Sequence, residues 1–324
     1  MTKAMIINAT GGPDVFQPAD VEVADPGPGE IKLAQTACGL NYIDVYFRTG
    51  LMPLDNFPEI LGMEGAGTVS AVGKGVTAVK VGDRVAYPMV KGAYTAERLI
   101  PDWKVAKLPD AISDETAAGM MLKGMTAHYL LHRTYKVQPG DSILVYAAAG
   151  GVGLILCQWG KALGANVIGC VGSDAKAELA KAAGAAHTIN YSTENIAEKV
   201  REITDGEGVA VAYDSIGKAT FEASLDSLRP FGTYVTYGNA SGPVEPFSPG
   251  ILAPKGSLYV TRPTLGTHTR NPEILAEGAN ALFDVVASGT VKINVNQTYP
   301  LTDVAQAHRD LEARKTTGST ILVP

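Results

Sequence analysis

One run constrains this chain more than any other: ILVYAAAGGVG, residues 143–153. Apolar, partly β-branched residues meet closely spaced glycines, and a second apolar stretch then runs without charge to Lys161. That order predicts a buried strand, a tight turn and the start of a helix, the repeating unit of a parallel α/β sheet. Set against the dinucleotide pattern G-x-G-x-x-G, it reads Ala148-x-Gly150-x-x-Gly153, with alanine in the first place. Gly150 lets the backbone approach a pyrophosphate, and Gly153 lets the helix pack on the strand. The helix N-terminus offers N–H groups and the positive end of its dipole to phosphate. Ala149, Gly150, Gly151, Val152 and Gly153 are therefore the candidate phosphate cradle. The 19 uncharged residues between Asp141 and Lys161 approach the length of a membrane span, but the glycines break them and Ser142 and Gln158 dilute them, so no membrane passage is expected.

The pattern continues after this turn. Strands are predicted at 142–146, 166–170, 188–190, 209–213, 232–237 and 257–261, with helices at 151–163, 174–183, 193–204 and 218–228. Six strands with helical crossovers make a doubly wound parallel sheet of Rossmann type. The first ~120 residues show almost no helical period. Six glycines from Gly62 to Gly82 alternate there with short apolar runs at 68–72, 76–79 and 84–86, as in an antiparallel β-barrel. After Arg262-Pro263, a helix (272–288), a strand (291–299), a helix (301–313) and a last strand (319–323) are read as returning to that first domain. The expected division is residues 1–124 with 265–324, against 125–264. A length of 324 residues agrees with two domains.

Charge and cysteine usage narrow the function. A net charge of −6 gives nucleic acid little to bind. Three cysteines (Cys38, Cys157, Cys170) cannot build a disulfide framework, and residues 1–14 read as a strand and a turn, not as a secretory leader. A cytoplasmic location is expected. Cys157 falls in an apolar helix and Cys170 ends a buried strand, so both read as core.

The second strand of the series indicates which dinucleotide binds. An NAD site ordinarily places Asp or Glu at that strand's end, on the ribose 2′-hydroxyl. Here the strand runs into Val171-Gly172-Ser173, and Asp174 comes late, at the helix start. Ser173 and Lys176 suit a 2′-phosphate, so NADPH is the expected cofactor.

These motifs carry a family resemblance. Residues 140–161, Gly-Asp-x-x-Leu-x-x-x-Ala-Ala-Gly-Gly-x-Gly-x-x-x-x-Gln-x-x-Lys, resemble the signature of the quinone oxidoreductase and zeta-crystallin family. This is a branch of the medium-chain dehydrogenase/reductase superfamily. The likeness extends through LNYIDVYFRTG (40–50), GMEGAGTV (62–69), KGMTAHYLL (123–131) and GSLYVTRPTL (256–265), and is especially close to bacterial NADPH:quinone reductases. It implies a GroES-like barrel domain beside the Rossmann domain. It also implies NADPH-dependent hydride transfer to quinones, with alkenal/enone reduction as the alternative activity. From a different class, the family includes structural and RNA-binding zeta-crystallins.

Carried over residue by residue, the resemblance places Asn41, Tyr46 and Thr126 at the nicotinamide–substrate cleft. Ser173, Lys176, Tyr191 and Arg314 fall at the adenosine 2′-phosphate, and Gly238, Asn239 and Arg262 near the nicotinamide. Ser215 lies at the carboxyl edge of a strand, where open α/β sheets bind ligands. Zinc-dependent relatives have Cys in place of Asn41 and His in place of Met63, so no metal site is expected. His128 and His132 are spaced i, i+4, but Tyr129 stands where H-E-x-x-H requires Glu. Close relatives often carry tyrosine where this chain has Met52. Glu64 has no assigned role. Homodimerisation is implied too, with residues 258–262 as an edge strand.

Overall fold

A computed structural model describes residues 1–324, and the chain divides into two units. The first comprises Met1–Met125, His268–Ser288 and Ile293–Pro324; the second comprises Thr126–Thr267 with Gly289–Lys292. The short segment 289–292 thus joins the second unit, whereas the sequence division kept the whole tail with the first.

The first unit opens with β1 (Thr2–Ile7), β2 (Phe16–Val21), β3 (Glu30–Leu40), α1 (Tyr42–Thr49) and β4 (Glu59–Ile60). It continues through β5 (Glu64–Val72), β6 (Arg84–Pro88), β7 (Glu97–Pro101), β8 (Ala106–Lys107) and α2 (Asp114–Tyr129), which crosses into the second unit. The second unit holds β9 (Ser142–Val145), α3 (Gly151–Ala162), β10 (Asn166–Val171), α4 (Asp174–Ala182), β11 (His187–Asn190) and α5 (Ile196–Ile203). It ends with β12 (Val209–Asp214), α6 (Phe221–Ser227), β13 (Leu228–Thr236) and β14 (Tyr259–Thr261). The tail supplies α7 (Pro272–Ala287), β15 (Val295–Pro300), α8 (Val304–Glu312) and β16 (Ser319–Val323) to the first unit.

The second unit's sheet runs β11-β10-β9-β12-β13-β14, with every pairing parallel. This is the six-stranded doubly wound order, and its switch point lies between β9 and β12, on either side of the glycine turn. Leu144, Ile168, Ile189, Ala212 and Tyr234 fill its core with no exposed surface. Both faces are covered, so these strands read as continuous apolar runs.

The first unit holds a seven-stranded sheet, β15-β16-β3-β5-β6-β8 with β7 also on β3, and a three-stranded sheet, β2-β1-β4. One edge of β3 serves two partners in succession: Glu30–Ala34 pair with β7, and Cys38–Leu40 pair with β16. That arrangement brings the C-terminal strand against the residues that lead into α1. Ile7, Ile31, Leu33, Leu61, Tyr87 and Tyr94 form the core beneath.

Four expectations need correction. The first unit carries two helices where almost no helical period was read. α1 spans only eight residues and owes its start to a cap, not to periodicity: the Asn41 N–H donates to the Asp44 carboxylate at 2.8 Å. It ends at Gly50, in the left-handed conformation with φ 82°. The 16-residue α2 is apolar on most sides because it is largely buried. The run 76–79 has no regular structure and is not a strand, and the tail strand begins at Val295, after another irregular stretch. Several helices also start later than read. α5 waits for its cap Asn195, and α6 starts only after Thr220, whose hydroxyl is drawn to Asp214.

Candidate functional site

In the second unit the glycine turn is shaped for close approach. Gly150 is the N-cap of α3 in extended backbone (φ −83°, ψ 175°), and no side chain caps the helix. Its first N–H groups are therefore not capped by a side chain of the helix start. A Cβ on Gly153 would lie 2.2 Å from the Ala147 carbonyl oxygen and 2.7 Å from the Ala148 Cα, so helix and turn touch only because glycine stands there. A Cβ on Gly150 would meet that carbonyl at 3.1 Å and otherwise only the Ala147 side chain. The tight turn itself falls one residue before the alanine aligned with the first glycine: Ala147 has φ 49°. Ala149 is buried, while Gly151 and Val152 are half-buried along the rim.

At the carboxyl end of β10, Ser173 caps α4 by accepting the Lys176 backbone N–H, which leaves the hydroxyl proton to donate. Tyr191 follows β11, and its N–H donates to the Val171 carbonyl at 3.1 Å. Ser192 bonds the Gly172 carbonyl. Ser173, Lys176 and Tyr191 therefore share one edge of the sheet. Asp174 is occupied elsewhere, accepting from the Asn190 amide at 2.8 Å.

Across the switch point, Asp214 ends β12 fully buried. Burial pushes its carboxyl up, against hydrogen bonds from Thr220, Tyr234 and the Ile216 and Gly217 N–H groups. These bonds shape the loop that carries Ser215, whose carbonyl accepts from the Ala240 N–H at 3.2 Å. Arg262 donates to the Gly238 carbonyl at 3.1 Å and to the Thr236 hydroxyl at 3.2 Å. With its amide oriented to satisfy both neighbours, Asn239 donates to Gly238 and accepts from Arg262 at 3.2 Å. Burial also raises the Tyr129 hydroxyl, opposed by the Arg262 charge and a hydrogen bond with Thr126. Ser215, Gly238, Asn239, Arg262 and Thr126 are thus one group. Tyr129 and Asp214 are the side chains that tie it together; Asp214 falls with Ser215 at the strand's carboxyl edge, as the sequence indicates, whereas Tyr129 has no functional signal.

In the first unit, Asn41 and Tyr46 sit on α1, both buried. Glu64, without exposed surface, accepts the Asn41 amide on Oε2 at 2.7 Å and the Leu122 N–H on Oε1 at 2.8 Å. Lys123 forms an ion pair with the same Oε2 at 3.3 Å. Behind Asn41, Tyr94 donates to Asp44 at 2.9 Å and meets His308 Nε2 at 3.2 Å. Burial pushes the Asp44 carboxyl up to about 7 and holds the His308 ring down at about 3, the Arg48 charge adding to the latter. Tyr94 and His308 carry no sequence signal of their own, and Lys123 only its place at the head of the KGMTAHYLL motif, because a loop and two helices bring the three together from distant positions. Arg314 also belongs to this unit, in the left-handed conformation (φ 57°) just past α8. The other residues matched to the 2′-phosphate lie in the second unit.

The remaining candidates are core. The Cys38 thiol donates to the Ala93 carbonyl at 2.7 Å, and burial pushes it up to about 12. His128 packs tilted against Trp159 and His132 edge-on to it, at ring separations of 5.8 and 5.1 Å. No helix is long and apolar enough to cross a membrane.

Residues 27–142 match the alcohol dehydrogenase GroES-like domain, and residues 151–282 match the zinc-binding dehydrogenase domain. The chain is 51% identical to a quinone oxidoreductase of Pseudomonas aeruginosa over 327 residues, covering all of both chains. It is 47% identical to a 2-haloacrylate reductase of a Burkholderia species, covering 100% of this chain and 99% of that one. The crystal structure of the Escherichia coli quinone oxidoreductase complexed with NADPH superimposes with a TM-score of 0.97, at 48% identity, covering 99% of this chain and 100% of the other.

Proposed function

The chain belongs to the quinone oxidoreductase family of medium-chain dehydrogenase/reductases, and on that footing we propose that it transfers hydride from NADPH to a quinone without a catalytic zinc. The observation that carries the reading is the turn at residues 147–153, where glycine alone permits the helix N-terminus to approach a pyrophosphate. Ala149, Gly150, Gly151, Val152 and Gly153 hold the pyrophosphate, and Ser173, Lys176, Tyr191 and Arg314 take the 2′-phosphate. Ser215, Gly238, Asn239 and Arg262 hold the nicotinamide end. The Ser173 hydroxyl and the Lys176 ammonium supply a donor and a charge where an NAD enzyme would need a carboxylate. Bound NADPH supplies two electrons and a proton as hydride.

Asn41, Tyr46 and Thr126 are assigned to the reacting groups. Their work is positioning, because a quinone that accepts hydride becomes an aromatic hydroquinone anion, with its charge delocalised over ring and oxygens. A solvent proton then completes the hydroquinone. The donor set at Asn41 supports the zinc-free reading. Its amide N–H faces Glu64, and the Lys123 ammonium already supplies the positive charge at that carboxylate. A zinc ion asks for anionic or lone-pair donors, not for an amide proton and an ammonium.

The kinship with a 2-haloacrylate reductase supports reduction of activated alkenes as a second reading. Steady-state kinetics with NADPH over quinones and enones separates the two. A higher kcat/KM for quinones is expected, and a higher value for enones would overturn the assignment. Three buried free cysteines support a reducing, cytoplasmic setting. β14 ends the six-stranded sheet with Tyr259 60% exposed, which supports pairing with a second copy at that edge.

A further inference from the structure

We infer that Glu64 is a positioning residue that holds the Asn41 amide in one polarity, with Lys123 as its resident counterion. The inference rests on the quinone-reductase reading for its consequence and on the geometry of the first unit for its substance. Glu64 has no exposed surface and Lys123 is 7% exposed, so the pair carries a desolvation penalty that a hydrophobic pair of similar volume would avoid. Stability therefore gives no reason for charge here.

The surroundings are built around the carboxylate. A Cβ on Gly39 of β3 would lie 2.3 Å from Glu64 Oε2 and 2.2 Å from the Ala118 carbonyl oxygen, so the strand makes room by omitting a side chain. Three donors from two elements then converge: the Asn41 amide at the start of α1, and the Leu122 N–H and Lys123 ammonium of α2. An ionised carboxylate is acceptor-only and suits three donors.

The consequence falls on Asn41. Turning its amide by 180° would set the carbonyl oxygen against the Glu64 oxygen at 2.7 Å, an acceptor against an acceptor. Its backbone N–H is held independently by Asp44. In the same capping box the Asn41 side-chain oxygen accepts from the Asp44 N–H, so Asn41 presents one remaining amide proton in a fixed sense. Through Leu122 and Lys123, Glu64 also ties α1 to α2, the helix that carries Thr126 one turn later.

A double-mutant cycle on the full-length protein tests this. Glu64→Gln keeps one acceptor oxygen but sets an NH₂ among the three donors, so the Asn41 amide loses its charged acceptor. We expect kcat/KM for a quinone to fall at least about tenfold in Glu64→Gln and in Asn41→Ala alike. The double variant should fall no further than Asn41→Ala, and the NADPH Kd should stay within about twofold of wild type, since the residues share one function. Losses that multiply in the double variant, or a Glu64→Gln rate within about twofold of wild type, would overturn the inference. Glu64→Leu/Lys123→Met controls for folding. It should unfold at or above the wild-type temperature yet show the Asn41→Ala loss, and wild-type activity in it would count equally against the inference. An NMR readout needs no turnover: the Asn41 side-chain amide, assigned by its absence from Asn41→Ala, should be protected from exchange in wild type and unprotected in Glu64→Gln. Equal protection in both contradicts the positioning role even if no quinone is turned over. A wild type without quinone turnover but with that NMR difference contradicts only the functional reading.

Discussion

The Ala147 carbonyl oxygen and Gly153 stand so close that a Cβ on the glycine would lie 2.2 Å from the oxygen, whereas a Cβ on Gly150 would lie 3.1 Å from the same atom. One carbonyl thus gives a distance to the two roles that the sequence pattern assigns to these glycines. Gly153 serves the packing of helix on strand, and Gly150 serves the approach of a ligand.

Their alanine variants should therefore fail differently. Gly153→Ala forces backbone apart and should cost about 1–3 kcal/mol of stability, along with cofactor affinity. Gly150→Ala should leave the melting temperature within a degree or two while weakening NADPH about tenfold or more. Thermal unfolding and fluorescence titration check both, and equal loss of stability in the two would contradict the division.

Cofactor choice should follow Lys176. Removing its ammonium in Lys176→Ala leaves the backbone N–H that Ser173 caps. The loss of a charge-assisted contact should raise KM for NADPH about tenfold or more and leave KM for NADH nearly unchanged. An equal rise for both cofactors would place Lys176 away from the 2′-phosphate.

Two buried groups behind Asn41 should oppose each other in the pH dependence of stability. The His308 ring is held at about 3, below its usual 6.5, so it contributes stability above pH 6.5 that is lost as pH falls towards 3. The Asp44 carboxyl is raised to about 7 from 3.8, so it contributes stability below pH 3.8 that is lost as pH rises towards 7. Between pH 4 and 6.5 the two slopes, each up to about 1.4 kcal/mol per pH unit, have opposite signs and largely cancel. Asp44→Asn should unmask a stability that rises with pH across that window, relative to wild type. His308→Gln should unmask one that falls. Denaturant titrations at half-unit pH steps decide it, and parallel curves for all three proteins would show that neither group is perturbed.

The edge of the six-stranded sheet makes a separate prediction. Wild type should elute as a dimer at micromolar concentration, and Tyr259→Lys, which puts a charge on the exposed β14, should elute as a monomer. Size exclusion with dilution reads this directly. A wild type that is monomeric at every concentration would contradict pairing at this edge.

The second unit was largely legible because its signals are local. A buried parallel strand is a continuous apolar run, and the turn at 147–153 announces itself by its glycines. Element ends shifted by one to four residues, in α5 because the cap Asn195 outweighed the apolar pattern. The first unit was less legible. α1 is too short for a period to show, and its start lies in the Asn41–Asp44 capping box. The polar network of Asn41, Glu64, Lys123, Asp44, Tyr94 and His308 includes a hydrogen bond between residues 214 positions apart, Tyr94 and His308. No local spacing encodes it, because β3 assembles it through pairings with β5 and β16.

The central claim is hydride transfer from NADPH to a quinone without zinc, and the most direct test is NADPH oxidation on mixing with a simple quinone in the presence of a zinc chelator. Turnover should fall in the ordinary enzymatic range of about 1–10³ s⁻¹. That rate should be the same with and without chelator and much slower with NADH. Oxidation no faster than in the absence of protein, or activity lost with the chelator and restored by zinc, would contradict it.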